Sequence, residues 1–148
     1  MISQRCQYAL RAVFELACRQ GQGPVRIADI AAAQGIPPRF LEAILGQLKQ
    51  SGLVASRRGA EGGYVLAKSP EAISMGEVIR FVDGPIAPVK CVQDGEHSEC
   101  LLGDDCVFMN VWKSVQRTTS EIYDRTTMAD LVEEQRARTR RFAVDFTI

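Results

Sequence analysis

One histidine, one tryptophan and no surplus of charge of either sign are the first things to notice in this 148-residue chain. A lone His97, distant from any Ser–Asp set, leaves no nucleophile–base pair, and there is no glycine-rich phosphate loop. The common catalytic constellations are therefore missing, and no enzymatic activity is expected. No apolar run approaches the roughly 20 residues that span a bilayer. Met1-Ile2-Ser3-Gln4-Arg5 lacks the apolar core of a signal peptide, so the expectation is a cytoplasmic protein with no membrane partner. Thiols stay reduced there, and an odd count of five cysteines fits ligands or sensors better than disulfides. Internal repeats and low-complexity tracts are also absent.

The balance of 18 basic and 18 acidic residues hides an uneven distribution. Residues 1–90 carry 11 basic and 7 acidic side chains, and residues 91–148 carry 7 basic and 11 acidic. If one half meets phosphates, it is the first.

Ser3 is placed to cap a first helix whose Leu10, Val13, Phe14 and Ala17 fall at helical spacing. Gly21-Gln22-Gly23-Pro24 ends it. Ile27, Ile30 and Ala31 predict a short second helix that stops at Gly35, and Pro37-Pro38 opens a third. In that third helix Leu41, Ile44, Leu45 and Leu48 share one face, leaving Arg39, Glu42 and Lys49 outward. Two short helices about a glycine turn make a helix-turn-helix. Leu53–Ser56 and Tyr64–Ala67 read as strands joined by a glycine-rich tip, Arg57-Arg58-Gly59-Ala60-Glu61-Gly62-Gly63. That is a β-hairpin wing, and an arginine at so thin a tip suits a minor groove. Ser74 and Glu77 form a capping box for a fourth helix. Residues 83–105 show no periodicity, a length that in a compact domain usually has a task. A fifth helix follows with Phe108, Val111, Trp112, Val115 and Ile122 on one stripe, and a sixth spans about Thr127 to Phe142.

The fold class is thus mainly α with a small β-hairpin wing: a winged helix-turn-helix followed by a long helix. The division is 1–82 for the winged domain, 83–105 for an irregular loop, and 106–148 for the last two helices. An apolar stripe as long as that of the fifth helix argues for a partner surface.

Cys91, Cys100 and Cys106 lie in or at the end of the loop, spaced C-x8-C-x5-C. Thiolates are soft ligands that suit zinc or an iron–sulfur cluster. Between Cys91 and Lys113 there is no Lys or Arg, while Asp94, Glu96, Glu99, Asp104 and Asp105 are acidic. That field disfavours free thiolates, and a bound cation or cluster would offset it. Structural zinc more often uses paired C-x2-C knuckles, so the wide spacing is better suited to a cluster, though spacing alone does not choose between them. The expected cofactor is an iron–sulfur cluster, 2Fe-2S favoured and 4Fe-4S possible. The candidates for a fourth ligand are His97, between the first two cysteines, and Cys6, presented by a partner subunit. Cys18 reads as a small buried apolar residue.

Gln7-Tyr8-Ala9-Leu10-Arg11-Ala12, Phe40-Leu41-Glu42-Ala43-Ile44-Leu45, Arg58-Gly59-Ala60-Glu61-Gly62-Gly63-Tyr64 and Gly76-Glu77-Val78-Ile79 together resemble the bacterial IscR/NsrR-type regulators. That family also includes RirA and the cluster-free CymR. The resemblance reaches Thr127-Met128-Ala129-Asp130-Leu131-Val132. It implies a homodimer joined through the fifth helix and bound to double-stranded DNA at a palindromic operator. By the same resemblance Arg39 and Glu42 are base-reading candidates, and Arg57, Arg58 and Gly59 belong to the DNA-contacting wing. The family's three cluster cysteines match Cys91, Cys100 and Cys106. Three features depart from it: the gap between Cys91 and Cys100 is longer than is usual in the family, Met109 stands where one branch has a ligating histidine, and Gln7 where another has a ligating aspartate. The expected function is a dimeric regulator sensing redox state, nitric oxide or iron–sulfur status. A cluster-free thiol switch and a zinc-stabilised protein-interaction adaptor are the alternatives.

Overall fold

The structure is a computed structural model that describes residues 1–93 and 100–147. Helix α1 (Gln4–Cys18) begins after Ser3, whose hydroxyl accepts the Cys6 N–H at 3.0 Å. Ser3 also donates its main-chain N–H and hydroxyl to Asp83, which ties the chain's start to a later helix. Ala9, Ala12, Val13, Leu16 and Ala17 of α1 are buried, and the helix is the strut on which the rest is assembled. Helix α2 (Ile27–Gln34) ends at Gly35, which takes the left-handed conformation (φ 61, ψ 40) that side chains avoid. This sharp turn delivers α3 (Pro38–Gln50), with Leu41, Ile44, Leu45 and Leu48 buried on one face.

Strands β1 (Val54–Arg57) and β2 (Gly63–Leu66) pair antiparallel, Val54 opposite Leu66 and Arg57 opposite Gly63. A short third rung is added by Val25, which exchanges main-chain hydrogen bonds with Tyr64 at 2.9 and 2.8 Å. Helix α4 (Met75–Asp83) is capped by Ser74, which accepts from the Glu77 N–H. The reciprocal half of the expected box is not made. The Glu77 carboxylate instead takes the Lys68 ammonium at 2.5 Å, a charged donor that outcompetes a neutral amide. A complete capping box forms at Thr127 and Asp130.

Among its described residues the irregular segment contains two single 3-10 turns, Lys90–Val92 and Gly103–Asp105. Helix α5 (Met109–Arg125) starts three residues beyond Cys106, which is extended. Helix α6 (Met128–Asp145) runs past the expected end at Phe142. The core is one apolar cluster built from α1, α2, α3, the hairpin, Ile73 and Val78. Met128 and Val132 of α6 join it, so the chain leaves the winged domain through α5 and returns to it through α6. Helix α5 buries no residue of its own and touches mainly α4 and the Lys90–Val92 turn. There Gly76 lets Asp124 approach, a Cβ at that position overlapping the carboxylate. Arg80 grips Asp124 with two hydrogen bonds of 2.6 and 2.9 Å.

Candidate nucleic-acid interface and cysteine site

The same packing that buries Leu41 and Leu45 turns the other side of the α3 N-terminus to solvent. Arg39, Phe40, Glu42 and Ala43 are all exposed there. Among the described residues neither Arg39 nor Glu42 is held in an ion pair, so both keep their hydrogen-bonding capacity for a ligand. Phe40 is 61% exposed, a large apolar side chain on this polar edge. Sequence reasoning did not single it out. The signal available was its position outside the 41–44–45–48 apolar register.

Arg57 closes β1, and Arg58 and Gly59 follow in the tip, all three exposed. Gly59 has φ 113, a backbone conformation that favours glycine. Its carbonyl accepts the Gly62 N–H at 3.0 Å and closes the turn. A Cβ at Gly62 would overlap the Arg57 carbonyl, so the tip can be this tight only without a side chain there. A second residue that sequence reasoning missed is Arg26, whose guanidinium donates to the Ala60 carbonyl at 2.6 Å. Nothing local could have revealed a contact across 34 positions.

The cysteines fall into two groups. Cys91 sits half-buried in the Lys90–Val92 turn, and the Val92 carbonyl beside it accepts from the Gln116 amide of α5 at 2.9 Å. Cys106 is half-buried, and its carbonyl accepts the Met109 N–H that starts α5. Cys100 is exposed. Cys91 thus lies in the turn that α5 touches, and Cys106 just before the N-terminal end of α5. Among the described residues no three His, Cys, Asp or Glu side chains converge closely enough to hold a metal ion. His97 lies outside the described residues.

Cys6 behaves differently. It is 0% exposed, packed between α1 and α4, and its thiol is pushed up to about 12. Burial is the main cause, followed by the Asp83 charge and the hydrogen bond to that carboxylate. Cys18, half-buried beside Glu15, is also raised, chiefly by burial.

Comparison with known proteins bears on both regions. The family model described as Rrf2, an iron-dependent transcriptional regulator, matches residues 2–134. The chain is 36% identical over 130 residues to the HTH-type transcriptional regulator CymR of Bacillus subtilis, covering 88% of each. It is also 36% identical over 134 residues to the HTH-type transcriptional regulator IscR of Erwinia tasmaniensis, covering 90% of this chain and 79% of that one. The solved structure of B. subtilis CymR, described as a global cysteine regulator, superposes with a TM-score of 0.76 at 35% identity. That superposition covers 90% of this chain and 97% of CymR.

Proposed function

We infer, since this chain belongs to the Rrf2 family and is a winged-helix, DNA-binding transcription regulator rather than an enzyme, that it reads a palindromic operator as a homodimer. In this reading α3 enters the major groove. Glu42 accepts from a cytosine amino group, and Arg39 donates to guanine or to a phosphate. The wing, with Arg57, Arg58 and Gly59, lies over the neighbouring minor groove. The exposed stripe of α5 joins two copies, placing two recognition helices about one turn of DNA, roughly 34 Å, apart.

The observation that carries this is the two-sidedness of α3: one face fills the core, and the other offers an arginine and a glutamate without ion-pair partners.

Cys91, Cys100 and Cys106 are proposed to hold an iron–sulfur cluster, with His97 and Cys6 the candidates for a fourth ligand. The donor chemistry fits, since three soft thiolates stand in a stretch without a single cationic side chain. Because the thiols do not converge among the described residues, binding would have to assemble the site rather than enter one already formed. A bound cluster would supply a redox-active centre able to react with small oxidants or nitric oxide. The chain's own contribution is positional. Cys91 and Cys106 flank the point where α5 leaves the winged domain, so drawing them together orders the 91–106 segment and the start of the dimer helix. The exposure of Cys100 supports a second reading, a cluster-free thiol switch in which that thiol reacts first.

Purification without oxygen, with iron, sulfide, zinc and visible absorption measured, separates these readings. Stoichiometric iron and sulfide with a brown colour supports the cluster. A colourless protein after anaerobic reconstitution, with salt-dependent operator binding that oxidation of Cys100 abolishes, supports the thiol switch. Failure to bind any palindromic DNA with the steep salt dependence of phosphate contacts would sink the operator reading itself.

A further inference from the structure

We infer that Arg26 is a positioning residue: it clamps the wing tip to the start of α2, so that wing and recognition helix present a single rigid surface to DNA. This rests on the reading of α3 and the wing as the DNA-contacting elements.

Arg26 stands at the N-cap position of α2, yet its side chain makes no capping bond. The guanidinium reaches instead to the Ala60 carbonyl, two residues beyond Arg58. The preceding residue, Val25, holds the tip end of strand β2 through its paired bonds to Tyr64. The tip end of the wing is therefore fixed at two neighbouring points by consecutive residues of one segment, Val25 on β2 and Arg26 on the turn itself. That segment leads directly into the helix-turn-helix.

The wing needs such help. Two strands of four residues are marginal by themselves, and Gly59, Gly62 and Gly63 add backbone freedom at the tip. The glycines are required for closeness, since a Cβ at Gly63 would overlap the Val25 carbonyl. The clamp restores the rigidity that they remove. Arginine suits the task because its long stem and planar fork can satisfy a carbonyl while other donors remain free. A wing held in place before binding loses less conformational entropy on the DNA than one ordered there.

The rival account is that Arg26, being exposed, contacts a phosphate independently of the wing. Arg26→Ala, Arg58→Ala and the double variant distinguish the two. Operator affinity is read at fixed salt, and hydrogen exchange of the Gly62 and Tyr64 amides is read in the free protein. Loss of a charge-assisted hydrogen bond at an exposed site should speed exchange of these amides about three- to tenfold. Affinity should fall by a similar factor, while in the Arg58→Ala background Arg26→Ala should add less than about twofold. Additive losses would overturn the clamp in favour of a direct phosphate contact. Unchanged wing exchange, or faster exchange with unchanged affinity, would overturn it as well. If Arg39→Ala and Arg58→Ala both bind DNA like the parent, the assignment of the DNA surface fails, and the exchange data still judge the clamp by themselves.

Discussion

Helices α3 and α5 carry apolar stripes of the same kind and have opposite fates. Leu41, Ile44, Leu45 and Leu48 of α3 are sealed against α1 and the hairpin. Phe108, just before α5, and Val111, Val115 and Ile122 within it face solvent, Ile122 at 58% exposure. A stripe at helical spacing states that a helix wants a partner; it does not state whether the partner lies in the same chain. For α3 the partner is within reach of a three-residue turn. For α5 the chain passes on through Thr126 into α6, which packs against α1 instead of doubling back along the stripe.

The contrast breaks most visibly through the α3 stripe. Leu45 is fully buried, so Leu45→Ala should cost about 2–5 kcal/mol through lost transfer energy and the cavity left behind. Urea unfolding followed by circular dichroism measures it. A loss under about 1 kcal/mol would mean that the core relaxes around this position and that the α3 face is not rigidly held. Val115→Asp on α5 should act on assembly instead, shifting a dimer to monomer in sedimentation velocity while the helical signal is retained. A monomeric parent at micromolar concentration would remove α5 as a dimer surface.

Much of the winged half was legible because its determinants are local. The 41–44–45–48 register, Gly35 after α2 and the glycine-rich tip each act within a few residues, and each element formed within a few residues of its expected bounds. Cys6 could have been placed by the same rule, since it shares a helical face with Ala9, Val13 and Leu16. What was not legible depends on distant partners. The return of Met128 and Val132 to the core, the capture of Glu77 by Lys68, and the reach of Arg26 to Ala60 are all tertiary choices that no window contains. The cysteine segment is the limiting case. Its ligand chemistry is readable from residue types, while the arrangement of the ligands is not set by the described backbone.

The cysteines sharpen the comparison chemically. In native protein at mildly alkaline pH, iodoacetamide should modify the exposed Cys100 at least about a hundredfold faster than Cys6, whose thiol is both sealed and raised to about 12. Mass spectrometry of timed samples reads the order. Early labelling of Cys6 would show that α1 and α4 separate readily, and the winged half would then not be the rigid partner in this contrast.

The smallest expected effect lies where the two regions meet, at the ion pair tying α4 to α5. The Arg80 guanidinium hydrogen-bonded to Asp124 holds its carboxyl below the usual carboxylate range. A depressed folded value means that the pair stabilises the fold above the carboxyl's ordinary value near ~3.9. That stabilisation is lost as pH falls through the lower, folded value. Both side chains are nearly half-exposed, so solvent screening keeps the contribution small. The measurable signature is a difference: the urea midpoints of the parent and Asp124→Asn should be separated at pH 7 and converge in strong acid. A gap of constant size from pH 7 down to pH 2 would show that the substitution acts through packing against Gly76 rather than through charge. The joint between the winged half and α5 would then depend on shape alone.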